Sequence, residues 1–333
     1  MFVSFCQLLL LDSNQIDMLP LLIPLFVHVA ALATSDHLID QDAIVPEMWG
    51  PGVFSTSLDE FGGALTPDGN EFYFSISVPR FFKEVICYSR FHDGHWAKPE
   101  VAPWSGKGHE FDPCLSPDGQ KLFYVSDRPI ANEKKRDYDI WMLERKGAGW
   151  GPPIHLPEPI NSSGSEHFAS CASNGDLYIC SDRDGVSSKV YRVPWTNGHY
   201  GAAEPLPPEI NGEGSWTLES SISPDGNILV SAIIGRQDSL GLYDIYISFK
   251  EGEKWTPMQN LGPEINSAAR DYTPRISTDG KWLFYTSERG FSTGRRTVPF
   301  NYDELNKGQG SILNGYGNIY RVELAQVLRK FKH

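Results

Sequence analysis

Basic residues are scarce in this sequence, and none of them precedes Arg80. The 29 lysines and arginines are outnumbered by 42 aspartates and glutamates, which leaves a formal net charge of -13 over 333 residues. A field of that sign repels phosphate backbones and anionic lipid surfaces. The composition therefore argues against nucleic acid as a partner.

Cysteine is also scarce, and the five present show none of the close paired spacing that zinc and redox sites use. We expect buried thiols, with a bridge between Cys171 and Cys180 as the alternative. The sequence also lacks a glycine-rich phosphate loop, a zinc-protease helix and a nucleophile elbow. No standard catalytic signature is present, and serine hydrolase chemistry in particular is disfavoured.

The longest apolar run lies near the N-terminus, at residues 19–29. It is shorter than the roughly 20 residues that cross a bilayer, and Ala31 and Ala33 follow it in the pattern that signal peptidase reads. Residues 1–33 are therefore expected to be a signal or leader segment, which implies a periplasmic or secreted protein with no integral membrane segment in the mature chain. The missing basic residues are atypical of a signal peptide, and the pattern does not decide between Met1 and Met18 as the start.

The main positive feature is a turn that recurs five times. The segments TPDG, SPDG, ASNG, SPDG and STDG place five residues in one column at spacings of 50, 56, 51 and 54: Asp68, Asp118, Asn174, Asp225 and Asp279. Such turns join antiparallel strands, because proline presets φ and glycine adopts the left-handed conformation. The spacing is that of a propeller blade.

Strands are predicted around each turn. A second strand such as KLFYVSD follows it, and a third such as DIWMLER comes next. A fourth strand is expected to begin near a column of aromatic residues: Trp49, Trp96, Trp150, Tyr200 and Trp255. Because Trp49 precedes every turn and the last unit ends after its third strand, one blade is divided between the two ends of the chain.

The predicted fold is all-β: a five-bladed β-propeller of four-stranded antiparallel blades over residues 48–324. The ring is closed by pairing of the N- and C-terminal strands, with residues 53–58 expected beside residues 318–324, which removes two exposed sheet edges. Residues 34–47 are expected to form a linker, and residues 325–333 a tail or short helix.

The SPDG turn, the aromatic strand after it, SDR at residues 126–128 and the recurring DIW or DIY together resemble the WD40-like repeat of TolB-like propellers, called PD40. The resemblance covers about residues 48–324 and is to the exported bacterial type. It implies a propeller fold, export, and protein binding or carbohydrate binding. The first blade lacks the SDR and DIY segments, and the fourth has IIGR in place of SDR.

The connections differ between the two ends of the predicted blades. The turns from first to second strand are short and uniform, whereas the other connections vary in length and lie at the opposite end, where we expect the functional face. Eight residues before each turn residue is a mostly acidic column: Glu60, Glu110, Glu166, Thr217 and Asp271. Asp112 and Glu219 lie two positions further along.

These carboxylates have two possible roles. In a functional role, the ligand site comprises Glu110, Asp112, Glu166, His167, Asp271, Arg128, Arg183 and Arg289, and the candidates for acid, base or nucleophile in glycoside cleavage are Glu60, Glu110, Asp112, Glu166 and Glu219. In a structural role, they accept hydrogen bonds from loop backbone or pair with Arg128, Arg183 and Arg289, and so hold adjacent blades together.

His109 and His167 flank Glu110 and Glu166 and are candidate metal ligands, although they fall one column out of register. No cofactor is expected, apart from a divalent cation that the channel carboxylates can hold.

The sequence favours an exported propeller that binds a protein or glycan over the channel mouth without catalysis. The alternative is a glycan-active hydrolase or lyase, and the sequence does not decide whether the protein is an enzyme. Two carboxylates about 5 to 9.5 Å apart, unpaired with arginine and in an open pocket, would favour the enzyme.

Overall fold

The computed structural model describes residues 43–78, 83–130, 137–212, 216–290, 298–299 and 301–331. The chain divides into two units, Met1–Gln41 and Asp42–His333. The first unit, which contains the expected signal segment, and most of the expected linker lie outside the described residues. The second unit carries the strands and helices below.

The described part of the chain is nearly all β. Strand β1 (Glu47–Met48) comes first, and the strands of five blades follow it in chain order. Blade one contains β2 (Asp59–Leu65), β3 (Glu71–Ser77), β4 (Glu84–His92), β5 (His95–Trp96) and β6 (Glu100–Val101). Blade two contains β7 (Glu110–Leu115), β8 (Lys121–Ser126), β9 (Asp139–Lys146), β10 (Gly149–Trp150) and β11 (Ile154–His155).

Blade three contains β12 (Glu166–Cys171), β13 (Leu177–Ser181), β14 (Lys189–Val193), β15 (Trp195–Thr196), β16 (His199–Tyr200) and β17 (Glu204–Pro205). Blade four contains β18 (Trp216–Ile222), β19 (Ile228–Ile234), β20 (Asp244–Glu251), β21 (Lys254–Trp255) and β22 (Gln259–Asn260). Blade five contains β23 (Asp271–Ile276), β24 (Trp282–Ser287) and β25 (Asn318–Glu323). Helix α1 (Tyr302–Gln309) precedes β25 and α2 (Leu324–Arg329) follows it. The predicted five-bladed propeller of antiparallel blades is confirmed.

Ring closure joins the two ends of the described chain. Strand β1 pairs with β25 in antiparallel register, with Glu47 opposite Arg321 and Met48 opposite Tyr320, and so completes blade five. The prediction that residues 53–58 supply this strand is wrong. Those residues follow β1 as turns and bends and contact β25 through the Ser55 hydroxyl, which accepts a hydrogen bond from Ile319 N at 3.0 Å.

The register of Trp49 explains the difference. Its N–H donates to the Ile319 carbonyl at 2.8 Å. In blade one, the N–H of Ala102 makes the equivalent bond to the Ile86 carbonyl. Ala102 lies six residues after Trp96. Trp49 therefore corresponds to Ala102, at the end of an outer strand, and not to the aromatic column that precedes the outer strands. The closing strand for this reason lies before Trp49, at β1, and not after it.

After each outer strand, a polar side chain hydrogen-bonds to the backbone of the third strand of the same blade. In blade four, Asn266 Oδ1 accepts from Ile245 N at 2.8 Å and Nδ2 donates to the Ile245 carbonyl at 2.9 Å. Asn161 and Asn211 make the same two bonds in blades two and three. These asparagines extend the β-ladder and satisfy buried backbone groups, each of which would cost about 1–3 kcal/mol if left unpaired.

The hydrophobic core lies between adjacent blades. Where blades one and five meet, it is built mainly from phenylalanines, including Phe54, Phe72 and Phe284, and the Trp49 ring packs on Phe54 with centroids 6.0 Å apart. Similar apolar clusters fill the other blade interfaces. This packing makes the blades a rigid support for the loops at their ends.

The described residues also bear on the expected thiols and on the expected absence of a membrane span. Cys87, Cys114, Cys171 and Cys180 are free thiols, so the alternative bridge between Cys171 and Cys180 is not formed. Neither of the described helices has the length and apolar character needed to span a bilayer.

Candidate binding site in the central channel

The inner strands of the five blades surround a central channel. Strands β2, β7, β12, β18 and β23 contact one another in a closed circle. Each has a register shift near its start, at the same position in four strands and one residue earlier in β18. The bulged residue has φ of 54° at Asp112, 44° at Phe168 and 47° at Thr273, and it is a glycine at position 62. A repeated bulge of this kind re-aims side chains at the rim of a closed sheet.

At the loop end of the channel is a cavity of about 240 Å³. Every blade contributes one side chain from beside or within its bulge: Phe61, Phe111, His167 and Tyr272 precede the bulges of their strands, and Leu218 lies within the bulge of β18. Tyr138 and Tyr243, from the segments before β9 and β20, add two more rings. Ring centroids are 5.2 Å apart for Phe111 and Tyr138 and 5.4 Å apart for Tyr138 and His167. The wall of the cavity is therefore largely aromatic.

Two carboxyl groups of the cavity, Asp112 and Glu219, have few compensating contacts. Asp112 is 4% exposed and its Oδ1 atom is buried without a hydrogen-bond partner. Glu219 Oε2 accepts from Thr273 N at 2.7 Å. Burial raises the pKa of Asp112, and the neighbouring Glu219 raises it further. Burial also raises the pKa of Glu219 to about 7.

Arg275 lies further toward the turn end of the channel. Its Nη1 donates to the Ala169 carbonyl at 2.8 Å, and its guanidinium packs 4.0 Å from the centroid of Phe168. Its Nε and Nη2 atoms are buried without hydrogen-bond partners. The charge of Arg275 lowers the pKa of both Asp112 and Glu219, although burial outweighs this effect.

Most of the acidic column is engaged by loop backbone and arginine. The Glu110 carboxylate accepts from Gly106 N and Gly108 N, both at 2.7 Å, and from Arg128 Nη2 at 3.0 Å. Arg128 also donates to the Trp104 carbonyl at 2.8 Å. Each carboxylate thus fixes the connection that enters its blade, and the arginine of the SDR segment fixes the same connection from the other side.

Blades three and five repeat this arrangement. Glu166 accepts from Ser162 N at 2.9 Å and from Arg183 at 3.2 Å, and burial raises its pKa. Asp271 accepts from Ser267 N at 2.6 Å and from Arg289 at 3.1 Å. These are the contacts of the structural alternative, and the binding or catalytic role of these residues stays a prediction.

Glu60 occupies the same column in blade one, but its contacts differ. Thr56 N donates to Glu60 Oε2 at 3.1 Å, and the Thr56 hydroxyl donates to Oε1. Within the described ranges, no arginine or lysine contacts this carboxyl. Burial raises the pKa of Glu60 to about 7.

The two histidines have separate surroundings. His109 Nδ1 lies 2.7 Å from Glu84 Oε2, whereas His167 lines the cavity beside Tyr138 and burial lowers its pKa. Among the residues that the structure describes, no three or more histidine, cysteine or acidic side chains form a group that could hold a metal ion. Metal binding by these histidines stays a prediction.

Sequence reasoning missed the aromatic wall and Arg275. A signal for the wall exists, because all five wall residues directly follow the acidic column and four of them carry rings. Tyr138 and Tyr243 lie just before the third strands, where nothing in the repeat pattern indicates that they reach the channel.

The loop-rich face around the cavity exposes large apolar side chains. They come from the segments that lead into first strands, from the first residue of β18 and from the connections between second and third strands: Leu58, Val78, Val186, Trp216, Leu240, Leu242, Val298, Tyr302, Leu305 and Leu313. Far fewer lie elsewhere in the described chain: Val45, Phe91, Val101 and Ile154. Concentration of exposed apolar surface at one place is typical of an interaction face.

No family model matches the chain. A curated relative, the uncharacterized peptidase YuxL of Bacillus subtilis, is 27% identical over 220 residues, which cover 53% of this chain and 29% of that protein. This chain therefore spans less than a third of that relative.

Among solved structures, a putative TolB from Agrobacterium tumefaciens is 16% identical with a TM-score of 0.46, over 79% of this chain and 90% of that one. An endo-arabinase from Bacteroides thetaiotaomicron is 12% identical with a TM-score of 0.48, over 78% of this chain and 100% of that one. At these identities the likeness concerns the fold and not the ligand or the reaction.

Proposed function

We propose that this protein binds a protein or peptide on its loop-rich face, with one group of the partner entering the channel cavity, and that it does so without catalysis. The observation that carries the proposal is the concentration of exposed apolar side chains on that face. Trp216 is 52% exposed, Leu242 67% and Tyr302 79%. A surface of this kind gains free energy when a partner covers it.

The size of the cavity supports a peptide over a glycan. Pockets for drug-sized ligands measure roughly 300–1,000 Å³, and the channel cavity measures about 240 Å³. That volume accommodates one side chain or one chain end, whereas an oligosaccharide needs an extended groove. The rest of the contact must then lie on the loops. Export to the periplasm or the medium is part of the same proposal.

The fixed carboxylates support a role without catalysis. Glu110, Glu166 and Asp271 each hold loop backbone and an arginine. A carboxylate held in this way is not available to transfer a proton or attack a sugar, since its lone pairs are already used. Their recurrence in three blades also fits a structural repeat better than a catalytic pair.

The test is a selection of displayed random peptides on the full-length protein, followed by affinity measurements with variants. Trp216→Ser and Leu242→Ser are expected to weaken the selected peptides at least tenfold, a loss of about 1.4 kcal/mol each. Val101→Ser is the matched control, because Val101 is also 52% exposed but lies on the outer strand β6. Equal affinity for all three variants, or enrichment of no peptide, would contradict the proposal.

A second candidate function is glycoside hydrolysis by Asp112 and Glu219. The observation in its favour is that these carboxyl groups share the cavity, contact no arginine directly in the described chain, and include one with a pKa of about 7, suited to a general acid. An oligosaccharide panel tests it directly. Cleavage that is abolished by both Asp112→Asn and Glu219→Gln would establish the enzyme, and absence of cleavage would remove it.

A further inference from the structure

We propose that the channel cavity receives a primary ammonium group of the partner, either a lysine side chain or an N-terminal α-amine, held by Asp112 and Glu219 inside the aromatic wall. The inference rests on the proposed function, since it names the part of a peptide partner that enters the cavity.

The charges that line the cavity are the first argument. Four acidic residues and one basic residue line it: Asp59, Glu84, Asp112, Glu219 and Arg270. Arg270 is already paired with Glu288. The cavity therefore presents an excess of carboxyl groups, which favours a cation over an anion or a neutral group.

The state of those carboxyl groups is the second argument. Glu84 accepts from His109, and Asp59 Oδ1 accepts from Gly317 N at 2.8 Å. Asp112 Oδ1, in contrast, is buried without a partner, and Glu219 has only the Thr273 N–H among its described hydrogen bonds. An unpaired buried polar group costs about 1–3 kcal/mol, and an entering N–H donor would remove that cost.

The aromatic wall is the third argument. Phe61, Phe111 and Tyr272, with Tyr138 and Tyr243, bring ring faces and edges to the same cavity. Aromatic rings within about 6 Å attract a cation, most strongly when it is desolvated. A lysine side chain also has an apolar stem that packs on such rings while its head reaches a carboxylate. The cavity volume of about 240 Å³ is many times the roughly 10–15 Å³ that a single water needs, which leaves room for that stem and head.

Binding of an ammonium group should be linked to protons. Asp112 and Glu219 must ionise to pair with it, and their environment contains Glu84, Arg270 and Arg275 as the other charged groups that act on them. Burial raises the pKa of Glu219 to about 7, and burial together with the Glu219 charge raises the pKa of Asp112. Affinity is therefore expected to rise as pH rises through about 7, where Glu219 ionises. A neutral ligand would show no such rise from these groups.

The test compares synthetic peptides by titration calorimetry with the full-length protein. The first pair is a blocked glycine-rich peptide with one central lysine and the same peptide with norleucine, which keeps the stem and removes the charge. The second pair is triglycine amide with a free α-amine and its acetylated form. At least tenfold tighter binding of the lysine peptide than of its norleucine counterpart assigns the side chain. The same preference in the second pair assigns the chain end.

Asp112→Asn and Glu219→Gln are each expected to reduce the charged peptide's affinity at least tenfold and to remove its rise with pH. Both variants should fold, because each removes a carboxyl that lacks a cationic hydrogen-bond partner in the described chain. Glu253→Gln is the control, since Glu253 is exposed and distant from the cavity. Equal affinity within both pairs, no binding in either, or full binding by both cavity variants would overturn the inference.

This failure is distinguishable from failure of the proposed function. If displayed peptides still lose affinity with Trp216→Ser but ignore Asp112→Asn, the loop face binds a partner and the cavity does not take an ammonium group. If neither substitution matters, both proposals fail.

Discussion

Replacing Glu60 by glutamine should stabilise the protein above neutral pH, whereas the same change at Glu110 should destabilise it. The two residues occupy the same position of consecutive blades. Glu110 faces Arg128, whereas the Glu60 carboxyl accepts hydrogen bonds only from Thr56 in the described chain. The pair therefore contrasts a buried carboxylate held by an arginine and two glycine N–H groups with a buried carboxyl that has no described cationic partner.

The magnitude follows from the pKa of Glu60. Burial raises it from 4.5 to about 7, and one pKa unit corresponds to about 1.4 kcal/mol. The Glu60 carboxyl therefore holds its proton more tightly in the folded state than in the unfolded state. For this reason, its contribution to the free energy of unfolding is greatest below the unfolded pKa of 4.5. It falls as pH rises through the folded value of about 7, by about 3 kcal/mol in all.

Denaturant unfolding of wild type and variants at a series of pH values measures this. The free energy of unfolding of Glu60→Gln, relative to that of wild type, should increase by about 3 kcal/mol as pH rises from about 4.5 to about 8. The reason is that glutamine carries no charge to bury. Glu110→Gln should lose about 3 kcal/mol or more near pH 8, because Arg128 is left without its carboxylate. A pH-independent effect of Glu60→Gln, or a gain in stability from Glu110→Gln, would refute this reasoning.

Two further changes test the framework of the propeller by the same unfolding measurement. Asn266→Ala removes both bonds to Ile245 and should lower the free energy of unfolding by about 2–3 kcal/mol; a loss below about 0.5 kcal/mol would show that the asparagine does not extend the ladder. Arg321→Gln removes a guanidinium that lies between the rings of Trp49 and Trp282, at 3.9 and 4.1 Å from their centroids, and should cost about 1–2 kcal/mol; no loss would show that this contact does not support closure.

The repeat made the fold predictable, because the turn column marks one hairpin per blade independently of tertiary contacts. In SPDG, the Ser116 hydroxyl donates to Asp118 Oδ1 at 2.5 Å and accepts from Lys121 N at 2.9 Å, and Gly119 has φ of 68°. All of these contacts are local, so the sequence pattern determines them. The place of ring closure was harder to predict, because β1 has two residues and Trp49 resembles the aromatic column without belonging to it.

The site was less predictable than the fold, for a physical reason. The acidic column was visible, but whether a carboxylate binds a ligand or fixes a loop depends on distant partners such as Arg128 and on the carbonyl of Trp104. The cavity combines side chains from all five inner strands and from the segments before β9 and β20, and only the closed ring brings them together. Asp112 and Glu219 were identified from sequence as candidates, but their burial and mutual interaction were not.

The most direct test of the account is hydrogen exchange of the full-length protein with and without a selected peptide. With the peptide bound, exchange is expected to slow at the starts of the inner strands, around Phe61, Asp112, Glu219 and Tyr272, and in the connection that contains Leu242. Protection confined to the SPDG turns at the opposite end, with the inner-strand starts unchanged, would contradict it.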